Sequence, residues 1–230
     1  MFYSPEIYCP VSFSNVDNIF PELPKRYNTN THEYSLFHET FCKRIGNLSG
    51  EGDIIEFGVC SGNSITGIAK YNPTKKVFGF DHFQGLEKTK QSIPDYAGWH
   101  EGAFKVCNTN QDWVPKSVDE VIQRCSEFPN IEIIVEDVHQ LKSPDSYGIG
   151  KIGAVHMDLD IYEPTVSALK FINKCNWDEI YFRFDDWHGH EPDYDNHERK
   201  AFREWLDFNK FKYEIYEDGL CSGVKVWKSS

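Results

Sequence analysis

The sequence predicts an α/β fold: a doubly wound, mostly parallel sheet with helices on both faces, closed by an antiparallel pair of strands. Three observations predict it. Short apolar runs that read as buried strands alternate with stretches of helical periodicity. The first clear run, DIIEFGVC from Asp53, breaks at glycines directly into a helix-forming stretch. Later runs end in acids at Asp81, Asp158 and Asp185, the position where open α/β sheets bind ligands.

The elements follow in order. Residues 1–30 are rich in Pro, Asn, Ser and aromatics without periodicity, and are expected to form an irregular N-terminal arm. Residues 31–230 are expected to form a single domain. Phe37, Phe41, Ile45 and Leu48 recur at helical spacing, which predicts an amphipathic helix ahead of the first strand. The strand from Asp53 turns at Ser61-Gly62 into SITGIAKY. Its pattern, Glu56-x-Gly58-x-x-x-Gly62, is not the dinucleotide fingerprint. An acid two residues before the first glycine repels a pyrophosphate but suits a cation, such as the sulfonium and ammonium of S-adenosylmethionine. A tight strand–helix turn with no ligand would give the same pattern.

A second strand over residues 76–80 ends at Asp81, where an acid reaches the ribose hydroxyls of an adenosine ligand in doubly wound folds. Residues 82–116 hold Gly, Pro and aromatics without period. So long a connection is expected to be a substrate-facing lid, with Trp99, His100 and Phe104 as walls; a plain surface insertion is the alternative. Ser117 and Glu120 make a capping box for a helix over 117–125. The strand Ile131–Val135 runs into Glu136-Asp137. Asp137 and Val138 there are candidates for adenine contact or a solvated strand end. The strand Ile152–Met157 ends in Asp158-Leu159-Asp160, and Pro164 suits the first turn of the next helix. The strand Glu179–Phe184 ends in Asp185-Asp186-Trp187-His188. A helix begins near Asp195 and Glu198, and two strands over 213–216 and 223–227 close the chain.

Composition narrows the function. A net charge of −12 with no Lys/Arg run argues against nucleic acid or an anionic membrane as partner. Seven cysteines without a C-x-x-C pair predict reduced thiols. With no secretory leader and no apolar run of membrane-spanning length, a cytoplasmic protein is expected. A homo-oligomer is left open.

The acids at the ends of two neighbouring strands carry the chemistry. Asp158, Asp160, Asp185 and Asp186 crowded in one crevice would repel one another unless a cation holds them. All-oxygen ligands favour hard ions, Mg²⁺ first, then Mn²⁺, with Ca²⁺ behind. Alternation points Asp158 and Asp160 the same way, and Asp185 and Asp186 oppositely if their strand continues. His188, at the rim, is a candidate proton acceptor, with His190 and His197 as alternatives.

Together these residues resemble a class I S-adenosylmethionine-dependent methyltransferase, and more narrowly the macrocin O-methyltransferase (TylF-type) family. The resemblance lies in IIEFGVCSGNS, VFGFDHFQGL, WHEGAF, VHMDLDIYEPTVSAL, FRFDDWHGH and HERKAFREW; MDLDIYEPT and DDWH are the specific segments. It implies a Rossmann-like sheet with an antiparallel final strand. It also implies a methyl transfer from S-adenosylmethionine to a hydroxyl of a sugar or other vicinal diol, in a small molecule or glycan. Glu56, Gly58 and Gly62 would frame the methionine moiety and Asp81 the ribose, with Ser61 and His82 as further donor-binding candidates. Asp137 and Val138 would lie at the adenine, and Asp158 would touch both donor and metal. Asp158, Asp185 and Asp186 would hold Mg²⁺ (or Mn²⁺), with His188 or Asp185 as catalytic base. The chain departs from the family in three places. Cys60 stands where a glycine is common, Arg183 where a small or apolar residue is common, and Asn176-Trp177-Asp178 replaces a Pro-Gly-Gly turn. Two other readings are a non-catalytic donor-binding scaffold and a metal-dependent hydrolase built on the same acids.

Overall fold

The computed structural model describes residues 31–91, 93, 99–106, 117–187, 196–217 and 222–228. The expected N-terminal arm, much of the lid, and His188, His190 and Asp195 lie outside the described residues. In chain order the elements are α1 (Thr31–Leu48), β1 (Asp53–Phe57), α2 (Asn63–Tyr71), β2 (Val77–Asp81), α3 (Val118–Ser126) and β3 (Ile131–Val135). Then come β4 (Ile152–Met157), α4 (Tyr162–Ile172), β5 (Glu179–Phe184), α5 (His197–Asn209), β6 (Lys212–Glu217) and β7 (Ser222–Trp227). Two short 3₁₀ turns, Val138–Gln140 and Pro144–Tyr147, join β3 to β4.

The strands form one seven-stranded sheet in the order β3-β2-β1-β4-β5-β7-β6. The first five are parallel to one another, and β7 runs antiparallel between β5 and β6. This is the Rossmann-like sheet that the alternation of strands and helices predicts. The chain winds outward from β1 in one direction and from β4 in the other. The crevice between their carboxyl ends is therefore the switch point where such sheets bind ligands.

Each strand's apolar period-2 pattern feeds two cores. Ile55, Phe57, Val155, Met157, Phe182 and Phe184 face α4 and α5, whose Phe171, Phe202 and Trp205 complete an aromatic-rich cluster. Ile54, Ala154 and Tyr181 face the other side, against Ile45 of α1 and Ile65 and Ile68 of α2. Helix ends obey local chemistry. Ser117 caps α3 by accepting from the Glu120 N–H, and Pro164 sits in the first turn of α4, where no intrahelical donor is needed. Among the described residues no helix is long and apolar enough to cross a membrane.

Candidate functional site

The turn from β1 to α2 is held from below by a carboxylate. Asp81, at the end of β2, accepts the N–H of Val59 (2.9 Å) and Cys60 (2.7 Å) on one oxygen and that of Phe83 (2.6 Å) on the other. Three backbone donors converge on one side chain, so the two strand ends are locked in register. Gly58 and Gly62 both have positive φ, at 85° and 78°. At Gly58 a Cβ would also lie 1.7 Å from the Asp158 carbonyl oxygen, so close packing of β1 on β4 dictates glycine there. Cys60 has φ 44°, a left-handed conformation that explains why glycine would be at home at this position. Its thiol is pushed up to about 11, chiefly by burial and then by Asp81, which disfavours the thiolate. Arg124 of α3 donates to the Ser61 carbonyl (2.8 Å) and the Asn63 side chain (3.0 Å), tying the turn down from the far side.

Glu56 is fully buried and does not line the cavity; nor does Gly62. The Glu56 side chain lies beneath the turn, accepting from Ser64 Oγ (3.0 Å) and pairing with His156 Nδ1 (3.0 Å). Its two partners, Ser64 and His156, do line the cavity.

That cavity measures about 570 Å³ and runs along the strand ends. One end is walled by Gly58, Ser61, Asp81, His82, Asp137 and Val138. The other is walled by Asp158, Asp160, Asp185 and Asp186, and the roof includes Leu86, Trp99 and Phe104 from the expected lid. His100 is exposed and is not part of the wall. The described part of the lid is fastened to the body. Glu163 of α4 accepts from Thr89 Oγ1 (2.7 Å) and the Lys90 N–H (2.9 Å), and His139 bridges Glu87 and Ser167.

The acids cluster, though not by simple strand alternation. β4 ends at Met157 and β5 at Phe184, so the acids sit on the loops just beyond. Asp160 turns back through a positive φ of 60°. The result brings one carboxylate oxygen each of Asp158, Asp160 and Asp186 within 4.8 Å of one another; Asp185 lines the same cavity but is exposed. Burial raises Asp158, Asp186 and Glu198 well above the usual carboxylate range, and their mutual repulsion adds to it. The same causes push Asp160 up to about 8.

Sequence reasoning missed the residue that organises this cluster. Glu198, in the first turn of α5, is fully buried and spans both acid loops. It accepts the Leu159 N–H (2.9 Å) and the Asp186 N–H (3.3 Å). Its signal was an acid in HERKAF at a position the α5 periodicity places inward. His156 and Arg183 were also readable as polar residues inside the apolar strands IGAVHM and EIYFRF.

No protein-family model matches the chain, and no curated protein matches it. Solved structures do. The chain is similar to the calicheamicin methyltransferase CalS11, with 21% identity over 97% of this chain and 93% of that one and a TM-score of 0.56. It is similar to the O-methyltransferase NovP, with 19% identity over 84% and 79% and a TM-score of 0.59. A methyltransferase from Aquifex aeolicus aligns over 99% of this chain and all of that one, at 14% identity and a TM-score of 0.51. At these identities the likeness carries the fold.

Proposed function

We propose that the protein is an S-adenosylmethionine-dependent O-methyltransferase that uses a divalent cation, Mg²⁺ or Mn²⁺, and acts on a hydroxyl of a sugar or other vicinal diol. One observation carries the reading. A single cavity joins the Asp81-tethered glycine turn to the trio Asp158, Asp160 and Asp186, so donor and acceptor sites would share one space. Its volume falls within the range of small-molecule sites. The fold likeness to CalS11, described as a TDP-rhamnose 3'-O-methyltransferase, supports the reading and the choice of a sugar acceptor, and the likeness to the O-methyltransferase NovP supports O-methylation. The TylF-type assignment belongs to the proposal.

The residues fit both bound groups. Asp81 takes the ribose end through lone pairs left beside its three N–H partners. Val138 and Asp137 flank the adenine, with Ser61, His82 and Gly58 along the donor's length and Glu56 and Gly62 supporting from behind. Three crowded carboxylates with raised proton affinity are an all-oxygen donor set for a hard cation. Asp158 and Asp186 belong to that set together with Asp160, and Asp185 lines the same cavity. When bound, such an ion lowers the pKa of a coordinated hydroxyl. Asp185, exposed to the cavity, and His188, three residues further on, are the groups we assign to accept the hydroxyl proton. Trp99 and Phe104 line the cavity as apolar walls, and a drier site favours a transfer that neutralises charge.

Calorimetry tests the reading: S-adenosylmethionine is titrated with Mg²⁺ and with chelator. Binding of both donor and ion is expected. Donor binding alone would point to a scaffold, and ion binding alone to a hydrolase; either result overturns the reading.

A further inference from the structure

Residues 87–91 of the lid, Glu-Lys-Thr-Lys-Gln, carry no apolar side chain. They alternate as an extended chain does: Glu87, Thr89 and Gln91 are half-buried, Lys88 and Lys90 exposed. Each inward side chain is tied to a different element. Glu87 meets His139 Nε2 (3.0 Å) in the β3–β4 connection. Thr89 Oγ1 donates to Glu163 of α4 (2.7 Å), and Gln91 Oε1 accepts from Lys200 of α5 (3.5 Å). Glu163 makes the strongest tie, because its second oxygen takes the Lys90 N–H (2.9 Å). This strap bounds the cavity through Leu86 and Glu87, and Leu86 joins neither hydrophobic core. On the donor side the chain is fixed at Phe83, which is buried in the α2-side core and whose N–H Asp81 accepts. Gly85 lies between, at φ 78°, and a Cβ there would stand 2.3 Å from the Ala103 carbonyl oxygen. Leu86 pairs with the roof segment by two backbone bonds of 2.8 Å, to Ala103 and from Gly102. That segment bears Phe104, whose carbonyl meets the Cys60 thiol at 3.5 Å.

We propose that residues 86–91 are a gate to the cavity, opening as one unit about Gly85, and that Glu163 is the positioning residue that latches it shut. A segment held by a few half-exposed hydrogen bonds, without an apolar anchor, lies at the low end of local stability, from which active-site lids are drawn. The paired backbone of Leu86 with Gly102 and Ala103 makes strap and roof move together, so opening also breaks the weak Cys60 contact. Glu163 stands three residues beyond Asp160, in the first turn of α4, so the latch closes the strap onto the end of the cavity that holds the acid trio. That the methyl donor passes this gate rests on the function proposed above; the gate itself does not.

Two measurements on the full chain, without ligand, test the gate. Amide hydrogen exchange follows Leu86, Lys90, Gln91 and Gly102, whose N–H groups are all bonded when the strap is closed. Labelling of Cys60 by methyl methanethiosulfonate, read by peptide mass spectrometry, reports access to the cavity that Cys60 lines. Glu163→Ala should speed the four amides and the labelling by one common factor of about 5- to 30-fold, the effect of losing its hydrogen bonds at a half-exposed site. The amides of β4 and β5 should stay as slow as in the wild type, which reports an intact fold. Thr89→Val removes the tie from the strap's side and should act in the same direction; if Glu163→Ala fails the fold control, this variant decides. Glu163→Gln can still accept from the Lys90 N–H and donate to Thr89 Oγ1, so it should stay within about threefold of the wild type. Faster exchange at Lys90 alone, or faster strap exchange with unchanged Cys60 labelling, overturns the gate. Stopped-flow binding of S-adenosylmethionine adds the functional arm. In Glu163→Ala its association and dissociation rates should rise together, with affinity changed less than either. A loss of affinity carried by dissociation alone overturns the gating role and makes Glu163 a plain structural tie. A wild type that does not bind the donor overturns the functional reading, and the ligand-free measurements still decide the gate.

Discussion

Replacing Glu198 by glutamine isolates the part of the site that aligns the acids without belonging to the trio. The carboxylate takes two backbone N–H groups, from Leu159 at 2.9 Å and Asp186 at 3.3 Å. A glutamine keeps one acceptor oxygen, and the shorter bond to Leu159 retains it. Its amide nitrogen then faces the Asp186 N–H, donor against donor, and that bond is lost. A hydrogen bond to a charged group is worth about 1.5–3 kcal/mol. Against that loss, the substitution removes a negative charge that bears on Asp158 and Asp160. The two effects oppose, so the metal-free protein should change stability by less than about 2 kcal/mol. Metal affinity has no such offset, because the Asp186 loop is released and the site loses charge. Losing an outer partner of metal ligands typically costs 10–100-fold in affinity, and a fall of about that size is expected here. Titration of Mg²⁺ by calorimetry, with urea melts of the metal-free protein, measures both. Unchanged Mg²⁺ affinity in Glu198→Gln would refute the reasoning, and so would a large loss of stability without metal.

Other perturbations follow from the same geometry. Asp81→Asn keeps one accepting oxygen and should cost about 1.5–3 kcal/mol in urea melts as the Phe83 or the Val59–Cys60 bonds are lost, with weaker donor binding by calorimetry. Gly58→Ala drives a Cβ against the Asp158 carbonyl and should destabilise by roughly 3 kcal/mol or more, whereas Cys60→Gly, which relieves a positive φ, should stay within about 1 kcal/mol of wild type by the same melts. The acids of the trio have folded-state pKa values above their unfolded ones. The metal-free fold therefore binds extra protons, and its stability falls as pH rises from about 4 through the Asp160 value of about 8. Thermal shift by Mg²⁺ should accordingly grow between about pH 5 and pH 8; a shift independent of pH would count against a cation held by these acids.

Much of the fold was legible because its strands are short, apolar and bounded. Thr31–Leu48, Ile131–Val135, Ile152–Met157 and Glu179–Phe184 form as the periodicity predicts, and Ser117 caps its helix as the capping box requires. Local pattern could place Asp81 and Asp158 at strand ends, because that is a statement about chain order. It could not tell which oxygens converge. The grouping of Asp160 with Asp158 and Asp186 depends on a left-handed turn at Asp160, and Glu198 reaches them only once α5 docks on the sheet. Likewise, the periodicity of β1 put Glu56 on a face but not beneath His156. That contact is a matter of β1–β4 register, set across one hundred residues of sequence.

The central claim is that a held cation and a donated methyl act in one cavity. The most direct measurement incubates the full chain with S-adenosylmethionine carrying a deuterated methyl and a panel of sugars and vicinal diols, with Mg²⁺ or with chelator, and reads the products by mass spectrometry. The account predicts label on a single hydroxyl of at least one diol, only when Mg²⁺ is present. Donor that binds yet labels no diol, or labelling undiminished by chelator, would contradict it.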